Sequence, residues 1–272
     1  MKRLRKDPLL MIGFVFLAIL MIFAIFGPTF RHHYLDQIAK PHLPPSSQFW
    51  LGTDELGRDI VARLAFGARI SLFIGLTVLA ISVSIGVIVG VAGVYAPKWI
   101  RMPLMRLTDG MFAFPDILLA ILIIGVLKPG IFPVIVALSV TGWPSIARLV
   151  STQVASLKDR EYVVASKAMG ASTWYVVTRH VLPQLWGILM AVAMVDLAGT
   201  ILAESTLSFL GIGVQAPNPS WGSMINNARA ELSSHPMMIV WPCLLLSATI
   251  FALNFVGDGV RALLDPKSQK GH

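Results

Sequence analysis

The 272-residue chain is 56% hydrophobic and 13% charged, with a mean hydropathy of +0.74. Soluble domains carry about a quarter charged residues, so this balance excludes an ordinary soluble enzyme and indicates an all-α polytopic membrane protein. The net charge of +8 is therefore read first as topology rather than as a nucleic-acid footprint, and the single cysteine, Cys243, excludes an intramolecular disulfide and a cysteine metal site.

The chain opens on the basic stretch MKRLRK, followed by an apolar run over 9–26. That run outlasts the roughly 7–15 residues of a signal-peptide core, and no small-x-small cleavage site follows. Residues 1–30 are accordingly expected to be a cytoplasmic basic stretch and a retained first transmembrane helix.

Residues 31–69 read as an extracytoplasmic loop. His32, His33 and His42 lie in it, but adjacent histidines are ordinary in solvated loops and nothing else there has ligand spacing, so no metal site is assigned. Its end, TDELGRDIVARLAFGARIS, places Leu56, Ile60 and Leu64 on one helical face, with Val61 and Phe66 on a neighbouring one. This pattern predicts an amphipathic helix lying at the outer membrane surface, capped by Thr53 or Asp54.

The core, 70–258, holds five further apolar runs of about membrane-spanning length, near 70–95, 112–127, 131–147, 185–203 and 237–256. With the first run they make six spans and place both termini on one side. Gly86 and Gly90 form a small-xxx-small pair suited to close packing within the chain. KPGI, at 128–131, predicts a tight turn between the third and fourth spans. Pro115 and Asp116 at the start of the third span, and Pro133 and Pro144 in the fourth, predict broken or kinked helices of the kind tolerated beside a cavity. Asp196 falls near the middle of the fifth span, where a carboxylate marks a pathway or a bond to a neighbouring helix. Glu204 lies near that span's outer end and reads first as structural. Asp196, Glu204, Pro115 and Asp116 are the candidate translocation-pathway residues.

Fifteen of the 22 Lys and Arg fall on one side of these spans and seven on the other. The richer side is expected to be cytoplasmic, which places both termini, the tail 259–272 and the loop 148–184 in the cytoplasm and 204–236 outside. The chain has no phosphate loop, no HExxH and no GxSxG, so no catalytic residue is assigned and ATP-driven work would need a partner. GIGVQA, at 211–216, formally fits a dinucleotide pattern but has no strand-turn-helix around it.

One cytoplasmic stretch, DREYVVASKAMGASTWYVVTRHVLPQL, is too charged to lie in a bilayer. Tyr162, Ala165, Ser166 and Met169 fall at i, i+3, i+4 and i+7, on one face of a short helix. Gly170 supplies the left-handed residue that ends it, and Ser172 is placed to cap a second helix with Trp174, Val177 and Val181 on one face until Pro183 interrupts the run. Such a hairpin fits either lipid headgroups or a protein partner, and the small residues at its centre favour protein.

The segment VASKAMGASTWYVVTRHVLP resembles the coupling loop of binding-protein-dependent ABC importer permeases, whose pattern is Glu-Ala-Ala, three residues, Gly, nine residues, Ile, one residue, Leu-Pro. Ala165, Gly170, Leu182 and Pro183 match in register, whereas Val164, Ser166 and His180 depart from it. FWLGTDELGRDIVARLAFGARISL, ILAESTLSFLGIGVQAPNPSWGSMI and ALNFVGDGVRALLDP extend the likeness over about 45–266. They resemble the second permease subunit of the dipeptide, oligopeptide and nickel ABC importers.

That resemblance implies the type I ABC importer permease fold in a bacterial inner membrane. It also implies pairing with a homologous permease, two ATPase subunits that bind ATP and Mg outside this chain, and an external substrate-binding protein. The ATPase-coupling residues would be Glu161, Tyr162, Ala165, Ser166, Met169, Gly170, Leu182 and Pro183, with Glu161 the acid nearest the departure at Val164. The expected function is peptide import; a nickel or metallophore importer, a glutathione importer and an ATPase-independent secondary transporter are the alternatives.

Overall fold

The computed structural model describes residues 8–30 and 32–264. The basic start (Lys2, Arg3, Arg5, Lys6), Arg31 and the tail from 265 onward lie outside the described residues. The described residues form an all-helical bundle, with no strand pairing beyond one antiparallel bridge between Thr53 and Asp59. In chain order the helices are α1 (Pro8–Phe30), α2 (Ile60–Tyr95), α3 (Lys98–Met111), α4 (Asp116–Leu127), α5 (Ile131–Leu157), α6 (Glu161–Ala168), α7 (Thr173–Val176), α8 (Leu182–Phe209), α9 (Trp221–Ala228) and α10 (Met237–Leu264). Five stretches are long and apolar enough to cross a membrane: α1, α2, α5, α10 and the run Thr173–Phe209 that joins α7 to α8.

The expected third span is shorter than a crossing. The helix α4 has 12 residues, about 18 Å at 1.5 Å each, against an apolar core of about 30 Å. It meets α3 at a bend of 95°, so a sixth passage exists only as this bent pair. The bend sits at Pro115, the residue before Asp116 at the helix start. A proline there needs no donor, but it disfavours continued helix in the residue before it.

The expected surface helix over 53–71 is also corrected. No proline separates Ile60 from Ile70, so α2 begins ten residues earlier than the apolar run and extends for 36 residues, about 54 Å. Its first turns are buried on nearly every side, including Ile60, Val61, Ala62, Leu64, Ala65 and Ala68. The charges that suggested an interface are satisfied internally: Arg58 Nε donates to Asp54 at 2.7 Å and Arg63 Nε reaches the same carboxylate at 3.2 Å. Asp59 is the cap, accepting from Val61 N–H at 2.8 Å. Thr53 instead binds the loop, donating to Lys40 O at 2.7 Å and accepting from Leu43 N–H at 2.9 Å.

The bundle's axis is the long contact between α2 and α5. A Cβ on Gly86 would stand 2.6 Å from Ile146, and one on Gly90 2.6 Å from Val150, so the small-xxx-small pair is an intrachain seam. Lipid offers no hydrophobic drive for helices to associate, so such close approach is what holds them. On the other flank α1 lies along α10 through Gly13 and Gly259, and turns Ile12, Phe14, Ile19 and Ile22 outward as a lipid face would. The helix α5 passes unbroken through Pro144 and outruns its expected end by ten residues to Leu157, and in that added stretch Arg148 pairs with Asp109 of α3.

At one end of the bundle α9 folds back inside. Trp221 is fully buried, donates Nε1–H to Leu64 O at 3.3 Å, and sits on Gly67, while Ser220 and Ser223 form a reciprocal capping box. At the other end α6 and α7 pack on α5 and α8.

Replacing Gly90 with Leu should wedge α2 from α5. Overpacking costs about 1–3 kcal/mol, so the purified protein should unfold at a clearly lower temperature in detergent, and an unchanged midpoint would contradict the seam.

Candidate functional site

Two features stand out, and α8 connects them. The first is the hairpin at the α6 end. Gly170 adopts φ +84°, and two bonds close the helix: Ala171 N–H to Ser166 O at 3.1 Å and Gly170 N–H to Lys167 O at 2.9 Å. This pair of bonds is the Schellman arrangement, which a residue in the left-handed region completes and glycine adopts without penalty. Ser172 then caps α7, accepting from Tyr175 N–H at 3.2 Å.

The hairpin's faces differ from the expected ones. Val163 and Ser166 turn inward, and Val163 joins Val176, Val181 and Leu185 in a buried cluster with Ile146, Val150 and Val154. Tyr162, Ala165 and Met169 stay exposed, so Ser166 leaves their face and Val164 and Ala168 widen it. On the second limb Val177 and Val181 are buried while Trp174 points out. Met169 is 84% and Trp174 77% exposed, high for large apolar groups at a bundle's end. Glu161 is exposed in the first turn of α6, and Leu182 is half-buried against the cluster. Lys167 Nζ lies 4.9 Å from the centre of the Tyr95 ring, which ties α6 to the end of α2.

Pro183 does not interrupt the second limb. Residues Val177–Val181 form a π turn, in which Leu182 N–H reaches back to Val177 O, and the helix continues to Phe209. Proline lacks the N–H that would continue the ladder and its ring crowds the preceding turn; a widened turn accommodates both. The hairpin is therefore joined to α8 by continuous helix.

The second feature is a cleft of about 420 Å³ between α2, α4, α5 and α8, lined by Asp116, Asp196, Ser82, Thr141, Ser145 and Thr200 among others. It brings together two of the four expected pathway residues. Asp116 stands in the first turn of α4, where the helix dipole favours a negative charge. Asp196 lies half-buried on α8, with Gly199 beside it leaving the wall open. Among the described residues, no Lys or Arg lines the cleft. Pro115, one residue before Asp116, is exposed and caps α4 without lining the cleft.

Glu204 is elsewhere. It is fully buried and accepts from Ser71 Oγ and Ser208 Oγ at 2.8 Å each, and from Ser205 Oγ at 3.4 Å. Ser208 in turn accepts from Val214 N–H at 3.0 Å, so the carboxylate ties α2 to α8 and to the following loop. Sequence reading missed these serines; the signal was the i, i+4 spacing of Glu204 and Ser208. The three loop histidines also separate: His32 faces Asp59 at 3.3 Å, His33 faces Asp36 at 4.0 Å, and His42 stacks on His235.

Membrane-length helices around an acidic cleft, with an apolar hairpin presented off the lipid belt, define a permease subunit that works against partners. The comparisons with known proteins agree. A family model described as "binding-protein-dependent transport system inner membrane component" matches residues 82–270, and one for the N-terminal transmembrane domain of oligopeptide transport permease C matches 1–45. The chain is 40% identical to the dipeptide transport system permease protein DppC of Bacillus subtilis, over 99% of this chain and 85% of that protein. It is 38% identical to the oligopeptide permease OppC of the same organism, over 99% and 89%, and 38% identical to the glutathione permease GsiD of Escherichia coli, over 98% and 89%. Among solved structures, the inward-facing MetNI methionine ABC transporter shares the fold, with TM-score 0.60 at 19% identity over 76% of this chain and 96% of that one.

The chain belongs to the binding-protein-dependent ABC importer permeases, as a C-type permease subunit of the inner membrane. Its class is a transport subunit, not an enzyme, and works with ATPase subunits and an external binding protein.

With Cys243 replaced by Ser, a cysteine placed at Thr200 should react with a membrane-impermeant maleimide. One placed at Ile201, fully buried a single residue on, should not, and equal labelling of the two would contradict the cleft.

Proposed function

We propose that this subunit forms half of the translocation pathway of a peptide importer, paired with a homologous permease and driven by two ATPases docked on the α6–α7 hairpin. The observation that carries this reading is the hairpin itself. Its apolar tips, Met169 and Trp174, are bare while Val163, Val176 and Val181 anchor it to the bundle. A surface bound only to lipid headgroups would not hold Ala165 and Ala168 at the centre of its exposed face.

In this reading the basic-rich end, with α6, is cytoplasmic, and the loop 32–59 is outside. Closure of the ATPases pushes the hairpin, and α8 carries that displacement along its length to Asp196. Energy enters because the hairpin contacts the ATPases differently in their two states; a contact of equal affinity in both would shift nothing. The cleft takes the solute. Two carboxylates with no basic neighbour among the described residues suit a solute bearing an ammonium group, such as the N-terminus of a peptide, and the lining hydroxyls suit its amides. The named relatives that handle dipeptides and oligopeptides support the same solute class.

Gly170 gives the sharpest test, because a side chain there would touch nothing within 4 Å and acts only through the backbone. A β-branched residue in the left-handed region costs about 1–2 kcal/mol, so Gly170→Val should loosen the hairpin and cut peptide-stimulated ATP hydrolysis while the protein still inserts. Gly170→Asn, which tolerates that conformation, should retain most of it. Full stimulation in Gly170→Val would refute the docking role. Cysteines at Lys40 and Lys158 should label from opposite sides of the membrane, and same-side labelling would overturn the orientation.

A further inference from the structure

We propose that His42, Glu231 and His235 form a binding site for a late first-row divalent cation such as Zn²⁺ at the end of the bundle opposite the α6–α7 hairpin. One ligand atom from each residue lies within 4.8 Å of the other two. The three residues come from separate parts of the chain: His42 from the loop after α1, and Glu231 and His235 from the connection between α9 and α10. Two imidazoles and one carboxylate are the donor set of zinc and its neighbours, whereas calcium and magnesium take oxygen ligands alone.

Three further features point to a ligand. The Nδ1 atom of His42 is buried and has no hydrogen-bond partner, which is uncommon for a buried polar atom and is relieved by coordination. His42 also sits at φ 56°, a left-handed position that non-glycine residues occupy mainly where surrounding structure imposes it. That structure is present: His42 N–H bonds to Asp54 O at 3.2 Å, and Leu43 N–H to Thr53 Oγ1 at 2.9 Å. Finally, Ser234 Oγ donates to Glu231 at 3.0 Å, the outer-shell partner that orients a ligating carboxylate. His235 is itself fixed, with its N–H on Glu231 O at 2.7 Å.

The two imidazole rings are stacked, with centroids 4.1 Å apart and planes at 10°. Imidazole lone pairs lie in the ring plane, so two parallel rings do not aim at one ion. Binding requires one ring to turn out of the stack. A cavity of about 410 Å³ adjoins both rings, with Pro44 and Trp241 in its wall, and gives room for that rotation. The bound ion would clip the loop after α1 to the connection before α10, two segments that already meet at the stacked rings. The site does not depend on the solute or on the ATPases.

The test uses the full chain, untagged and assembled with its partner subunits in nanodiscs after dialysis against EDTA, with Zn²⁺ alone as the probe. Bound zinc is counted by mass spectrometry across an equilibrium-dialysis titration, and the unfolding midpoint is read in parallel. Expected are one more saturable zinc per chain in the wild type than in a His42→Gln/His235→Gln double variant, and a midpoint that rises with zinc only in the wild type. Outer-shell losses alone weaken metal sites 10–100-fold, so Glu231→Gln should weaken zinc binding by about tenfold or more. His33→Ala should bind as the wild type does. Zinc stoichiometry and affinity equal in the wild type and the double variant would overturn the proposal. If the double variant does not assemble, Glu231→Gln decides, and unchanged binding there overturns it equally.

Discussion

Inside a bilayer every backbone amide must find its partner within the protein, and the rest of this structure follows from how the chain meets that constraint. Long helices do most of it. The instructive place is Pro183, which removes a donor ten residues into the longest continuous helical run among the described residues. Here Val176, Val181 and Leu185 are anchored in one buried cluster on both sides of the proline, and the chain widens a single turn instead of stopping. The result joins a surface hairpin to a membrane-depth cleft through unbroken helix. That continuity is the mechanical basis of the coupling proposed above.

The same medium governs the charges. Asp54 is shared by Arg58 and Arg63 at the start of α2, and Glu204 is surrounded by serine hydroxyls that brace α2 against α8. Stripping Glu204 of its acceptor role would strand those hydroxyls, at about 1–3 kcal/mol for a buried unsatisfied group. Asp116 and Asp196 differ. No ion pair reaches either carboxylate among the described residues, and both face the cleft. Carboxylates tied up inside the bundle brace its helices, and carboxylates left facing space are available to a solute. This contrast separates Glu204 from Asp196 more clearly than their positions along one helix.

Much of this was legible in the sequence where short-range rules decide. The KPGI turn, the ends of α2 at Tyr95 and α4 at Leu127, the start of α10 at Met237, the left-handed Gly170 and the Ser172 cap all follow from local chemistry. The misreadings occur where distant partners decide. The start of α2 resembled a surface helix because Arg58 and Arg63 carry charge, and only the folded loop brings Asp54 to both. Ser166 matched the exposed face by spacing, yet the hairpin rolls so that Val163 and Ser166 meet the bundle. His42 was grouped with its neighbours in the loop, whereas its ring partner stands at residue 235. Proline rules predicted a break at Pro183 that packing on either side overrides.

Because the central claim is mechanical, the most direct measurement interrupts the linkage without touching either site. Two glycines inserted after Val181 would uncouple the hairpin from α8 while leaving Met169, Trp174, Asp116 and Asp196 in place. In reconstituted complexes with ATPases and binding protein, the ATPases should still copurify, but peptide uptake and peptide-stimulated ATP hydrolysis should be lost together. Uptake at the wild-type rate would contradict the account.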